Sequence, residues 1–187
     1  MLLPWEISWK SLTSGADSSI IREQERMQSS SAYAVPKNLT ESGEFRSKFN
    51  SMDSDKRVQR QYYQVAKEML RHRSGTNGED LYFYNTRTKK WYRSTGEIVS
   101  FHNHPLGMPP SDGDLNAALK NGYQKGYTIG HDGTVFEYTA PKEFIPPSMY
   151  DAKRAKYTKK GCSEFEVQLN TLLELKELFQ FDVREVK

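Results

Sequence analysis

Of the four histidines in the chain, His102 and His104 flank a single asparagine in the segment Ser100-Phe-His-Asn-His-Pro-Leu-Gly-Met-Pro-Pro-Ser-Asp-Gly-Asp114. In an extended strand, residues two apart point to the same face, so both imidazoles can be presented to one point. Pro105 has no backbone donor and ends the ladder. The chain then turns through Gly107, Pro109 and Pro110, and a helix starting at Ser111 brings Asp114 back in its first turn. Two imidazoles and one carboxylate make the three-donor set in which catalytic zinc keeps a fourth position for water. Water bound to such an ion has its pKa lowered towards about 7, and a nearby carboxylate that is not a ligand can take its proton.

Two glutamates are candidates for that carboxylate. Glu97 precedes His102 by an odd number of residues, so in a regular strand it faces away from the histidine pair. Glu79 opens a different strand and can lie beside the histidine strand with its carboxylate on the same face. Glu79 is preferred, and Glu97 stays as the alternative if a bulge changes the parity. The segment also has a plainer reading. Ser111-x-x-Asp114 before an apolar helix is a capping-box-like start, in which the serine accepts an amide hydrogen and the acid complements the helix dipole.

The elements that must position these groups follow from periodicity. Val58, Tyr62, Val65, Ala66, Met69 and Leu70 recur at helical spacing and predict a helix over 55–72, with Asp53 or Ser54 as cap and Gly75 as stop. Glu79–Tyr84 and Lys90–Arg93 read as two aromatic strands joined in a hairpin, and Glu97–His102 as a third strand. Asp112–Asn121 is a short helix. Tyr127–Ile129 and Thr134–Tyr138 flank an Asp-Gly turn at His131-Asp-Gly133. Ser163 caps a last helix bearing Phe165, Leu169, Leu172, Leu173 and Leu178 at core spacing. His131 reads as a solvated turn residue, and His72 as a complement to the dipole at a helix end.

The 187 residues suit one ordinary domain with attached segments. A hydrophobic share of 36% and a mean hydropathy of −0.81 place part of the chain outside any core. Residues 1–52, rich in serine and without sustained period, read as a loosely structured arm with one short helix near Ser19–Met27, and with Trp5 and Trp9 as anchors. The division expected is therefore this arm, a metal-binding core over 53–140, and a basic segment with a Leu-rich helix over 141–187.

With 27 basic against 24 acidic residues, the net charge of +3 is too small to name nucleic acid or an anionic membrane as partner. Lys153, Arg154, Lys156, Lys159 and Lys160 read as a solvated helix face. The opening MLLPWEISWKSL makes a poor signal peptide, and no apolar run approaches the roughly 20 residues that span a bilayer. A soluble, cytoplasmic protein is expected. Cys162 is the only cysteine, so a metal site must use histidine, carboxylate and water.

The order of a glutamate, His102-Asn-His104 and Ser111-x-x-Asp114 resembles the JAMM, or JAB/MPN-plus, zinc metallopeptidases, although the His104-to-Ser111 loop is one residue shorter than that family's usual spacing. His-Asn-His-Pro is also similar to the RadC branch of that fold. A nearer likeness is to JAB-type domains of phage proteins associated with head morphogenesis. It is carried by Arg73-Ser-Gly-Thr76 leading to Glu79-Asp-Leu81, by the His-Asn-His-Pro corner, and by His131-x-Gly-Thr134 leading to Tyr138, and it spans about residues 57–140. The resemblance implies an α/β (α+β) domain of cytidine-deaminase-like JAB/MPN type, a mixed, mostly antiparallel sheet flanked by helices. It implies that His102, His104 and Asp114 bind Zn2+, that Glu79 is general base and acid, and that Ser111 supports the oxyanion. The implied activity is metal-dependent hydrolysis of peptide or isopeptide bonds in a protein or peptide substrate, encoded by a phage or prophage, in host cytoplasm or virion. The alternative is a phage structural or assembly protein that uses the fold for binding, with phage structural proteins as partners. Neither a membrane nor nucleic acid is an expected partner.

Overall fold

The computed structural model describes residues 31–91 and 98–187. The expectations for the Ser19–Met27 helix, for Trp5 and Trp9, for the end of the second strand at Tyr92 and Arg93, and for Glu97 lie outside these residues. Among the described residues, a six-stranded mixed sheet is flanked by five helices. The strands are β1 (Leu81–Asn85), β2 (Lys90–Trp91), β3 (Ile98–His104), β4 (Tyr123–Gly130), β5 (Val135–Tyr138) and β6 (Val183–Glu185). The helices are α1 (Gly43–Ser47), α2 (Lys56–Arg73), α3 (Asp112–Asn121), α4 (Pro147–Thr158) and α5 (Glu164–Phe179). Across the sheet the order is β2-β1-β3-β4-β5-β6. Only β3 and β4 run parallel, joined by α3, and all other neighbours are antiparallel. A parallel pair needs a crossover, and α3 supplies it.

Strand parity divides the core into two layers. Val99 and Phe101 of β3, with Tyr127 and Ile129 of β4, pack under the apolar face of α2, where Tyr62, Ala66, Met69 and Leu70 are each 1% exposed or less. Phe101 stacks on Tyr127 with centroids 5.0 Å apart, and Tyr62 lies 4.7 Å from Phe101. The helix expected over 55–72 is thus α2, capped by Asp55 through the amide of Arg57 rather than by Asp53 or Ser54. On the opposite face, Ile98, Leu115, Ala118, Phe136 and Tyr138 meet Leu172, Leu175 and Phe179 of α5.

Two boundaries differ from expectation. Residues 31–52 are not a loose arm. Short helical turns at Ser31–Tyr33, Leu39–Glu41 and Lys48–Ser51 surround α1, and Phe45 and Phe49 are both buried at 1% exposure. Phe49 meets Tyr63 edge-on at 5.8 Å, and the Tyr63 hydroxyl donates to the carbonyl of Thr40. Such aromatic contacts leave no period in the local sequence. Nor does the core end at residue 140. Ile145, Tyr150 and α5 cover one face of the sheet, and β6 adds an edge strand to β5. The prolines at 146 and 147 do not break structure but start α4, with Pro147 at its first position, where a missing amide costs nothing. No helix of the described residues is long and apolar enough to cross a membrane.

Candidate metal centre

β3 carries its pairing through both histidines and stops at Pro105. His102 and His104 therefore share the face that α3 covers, and α3 begins beside them. Ser111 caps α3 through a capping box: its hydroxyl oxygen accepts the Asp114 amide at 3.2 Å, while Asp114 Oδ2 accepts the Ser111 amide at 2.7 Å. This turns the carboxylate onto the imidazoles. His102 Nε2 lies 3.0 Å from His104 Nε2 and 3.2 Å from Asp114 Oδ1, and His104 Nε2 lies 3.5 Å from Asp114 Oδ2. One ligand atom from each of His102, His104 and Asp114 lies within 4.8 Å of the other two, so the three form a group that could hold a metal ion.

Electrostatics favour a cation at this point. Burial opposes ionisation of Asp114, but the imidazoles, His102 first, hold its carboxyl well below the usual carboxylate range. Burial likewise opposes a charge on His104, yet its hydrogen bond to Asp114 and the charges of Asp114 and Glu79 raise its pKa above the ordinary value. The triad thus attracts a proton, and a divalent ion can replace that proton. His104 is oriented for this exchange. Its Nδ1 donates to the carbonyl of Met108 at 2.7 Å, which leaves Nε2 as the lone-pair nitrogen facing the triad in the neutral ring.

The antiparallel pair Leu81↔His102 brings the residues just before β1 to the end of β3 that bears His104. Strand pairing itself begins only at Leu81, so Glu79 precedes the strand rather than opening it. Glu79 lines a cleft of about 320 Å³ together with Tyr33, His104, Leu106, Ser111 and Asp114. Among the described residues its carboxylate has no recorded hydrogen-bond or ion-pair partner. Ser111 also lines the cleft, but its hydroxyl hydrogen is committed to Asp114 Oδ2 at 2.8 Å. In this geometry Ser111 orients Asp114, and the oxyanion role that the resemblance implies for it would require that bond to break.

The corner between β3 and α3 depends on residues the local sequence does not connect with it. Gly107 has φ +65°, and a Cβ there would lie 2.4 Å from the Asp132 carboxylate. Gln168 of α5, 7% exposed, donates from Nε2 to the carbonyls of Pro109 and Pro110. His131 is not solvated in its turn but 2% exposed. Its Nδ1 donates to the carbonyl of Tyr33 at 2.7 Å, and its Nε2 accepts from Asn103 Nδ2 at 3.1 Å. His72 contacts Asp80 Oδ2 at 2.7 Å. In α4, Lys153 and Lys156 pair with Glu174, and Arg154 pairs with Glu164, so these cations are spent within the fold.

Comparison with known proteins finds no matching family model, curated protein or solved structure.

Proposed function

We propose that the chain is a zinc-dependent hydrolase of peptide or isopeptide bonds, built on the JAB/MPN variant of the cytidine-deaminase-like fold and encoded by a phage or prophage. The observation that carries this reading is the grouping of His102, His104 and the half-buried Asp114 beside a cleft that the Glu79 carboxylate also lines. His102, His104 and Asp114 would hold the zinc. Bound there, the ion would supply Lewis acidity, lowering the pKa of a water and polarising the scissile carbonyl.

The protein's own groups do the rest. Glu79 takes the proton of the attacking water as its oxygen adds to the carbonyl carbon. The same carboxyl then returns the proton to the nitrogen as the C–N bond breaks. Ser111 keeps Asp114 turned to the imidazoles, and the Met108 carbonyl keeps His104 Nε2 free of hydrogen. Leu106, 59% exposed at the rim, offers apolar surface to a polypeptide.

The test is metal analysis of protein purified without chelators, followed by hydrolysis of a quenched-fluorescent peptide library by the zinc-loaded protein and by Glu79→Gln. Zinc retention with turnover lost only in the variant is expected. A protein that stays metal-free in added zinc sinks the reading. The capping box, which accounts for Ser111 and Asp114 without a metal, favours a second reading: a phage assembly protein that uses the fold for binding. That reading is separated by Glu79→Gln, which would leave assembly intact.

A further inference from the structure

Glu79 lies in an irregular stretch just before β1, where no ladder bond fixes it, yet a general base must be held within a fraction of an ångström. The two residues that bracket it are both held by one side chain. Asn103 stands between the two histidines, but parity sends its side chain to the other face of β3, where it is 0% exposed. Its Oδ1 accepts the Asp80 amide at 2.6 Å, and its Nδ2 donates to the Gly78 carbonyl at 2.9 Å. The second Nδ2 hydrogen goes to His131 Nε2, and His131 is fixed in turn by the Tyr33 carbonyl. Only one amide orientation and one imidazole tautomer satisfy all four bonds: the Asp80 amide requires an oxygen at Oδ1, and the Tyr33 carbonyl requires the hydrogen on Nδ1. The Asp80 carboxylate is anchored by Arg73 Nε at 2.8 Å and by His72.

We propose that Asn103, held by His131, is the positioning residue for Glu79. It stands in for the missing strand pairing and makes β3 set the triad on one face and the base from the other. This inference rests on the reading of Glu79 as the base. It also gives the cleft a link between two walls, because Tyr33 lines it and its carbonyl ends the same chain of bonds.

A buried asparagine that merely satisfies the fold would carry the same bonds, so the experiment separates the two roles. Asn103→Ala, Glu79→Gln and the double variant are compared with the parent in three measurements. Zinc content should be unchanged in all, since the ligands lie on the other face. Hydrolysis of the peptide library should fall about 10–100-fold in kcat for N103A with KM little changed, and N103A should add nothing in the E79Q background. The amide of Asp80 should exchange with solvent faster in N103A, while amides of the β3–β4 ladder keep their rates. Should N103A not fold, the near-isosteric Asn103→Asp carries the same test, keeping an acceptor for Asp80 and losing both donors.

The proposal is overturned if N103A retains full kcat, if its loss repeats in the E79Q background, or if the ladder amides exchange faster together with Asp80. If the zinc-loaded parent hydrolyses nothing, the function reading fails instead. The exchange of Asp80 against the ladder then decides the clamp alone.

Discussion

Ser111 and Asp114 hold each other reciprocally: the serine hydroxyl accepts the aspartate amide at 3.2 Å and donates to Asp114 Oδ2 at 2.8 Å. The Ser111 amide adds a third bond at 2.7 Å to the same oxygen. Oδ1 lies 3.2 Å from His102 Nε2, and Oδ2 3.5 Å from His104 Nε2. The helix cap and the orientation of Asp114 towards the histidines are therefore one structure. Ser111→Ala should cost about 1 kcal/mol of stability as a lost cap and weaken zinc binding by roughly tenfold as a lost ligand support. Urea unfolding and zinc competition with a chromophoric chelator measure the two effects. An unchanged zinc affinity would reduce Ser111 to a cap.

Removing a ligand and removing the base should separate cleanly. His102→Ala, His104→Ala and Asp114→Ala are expected to lose the metal. Glu79→Gln is expected to keep it and to lose turnover by about 10²–10⁴-fold. Full hydrolysis by Glu79→Gln would remove Glu79 from the mechanism and return attention to Glu97.

Gly107→Ala tests the corner. Its positive φ disfavours any side chain, and the added Cβ meets the Asp132 carboxylate. A loss above about 1 kcal/mol is expected, together with weaker zinc retention. Gly43→Ala is the control, because nothing lies within 4 Å of its added Cβ. Equal urea midpoints for the two variants would contradict the packing.

Glu137 sets an acid limb of stability away from the site. Burial opposes its charge, but the Tyr127 hydroxyl at 2.7 Å, then Lys125 and Arg184, lower its pKa below the ordinary glutamate value. A carboxyl with a depressed folded pKa contributes stability above its unfolded pKa and loses it as pH falls through the folded one. The difference in unfolding free energy between parent and Glu137→Gln should thus be full near neutrality and shrink across that acid window. Parallel curves throughout would assign the acid limb to other carboxylates.

The sequence made α2, α3 and α5 legible because each has a period written locally, and the caps of α3 and α5 at Ser111 and Ser163 were legible too, whereas α2 is capped by Asp55 and not by Asp53 or Ser54. Strand parity was legible as well: it placed His102 and His104 together, while Glu79 lies before β1 and lines a cleft with His104 and Asp114. What the sequence concealed was settled by partners distant along the chain. His131 looked solvated because the Tyr33 carbonyl and Asn103 that enclose it are far from its turn. Gln168 looked like one polar residue on an amphipathic helix, yet it holds two carbonyls of the corner. Phe45 and Phe49 find their rings on Tyr63 rather than on a periodic neighbour. Residues 31–52 were therefore read as part of a loose arm, although Phe45 and Phe49 close the core.

The Gln168 anchor also has a bearing on biosynthesis. A chain emerging from the ribosome exposes His102, His104 and Asp114 well before α5, so the carbonyls of Pro109 and Pro110 wait for a partner that arrives late. Local segments can order earlier, but closure of this corner must await the carboxy-terminal helix. A cation reaching His102, His104 and Asp114 before α5 has docked would meet an unfinished cradle.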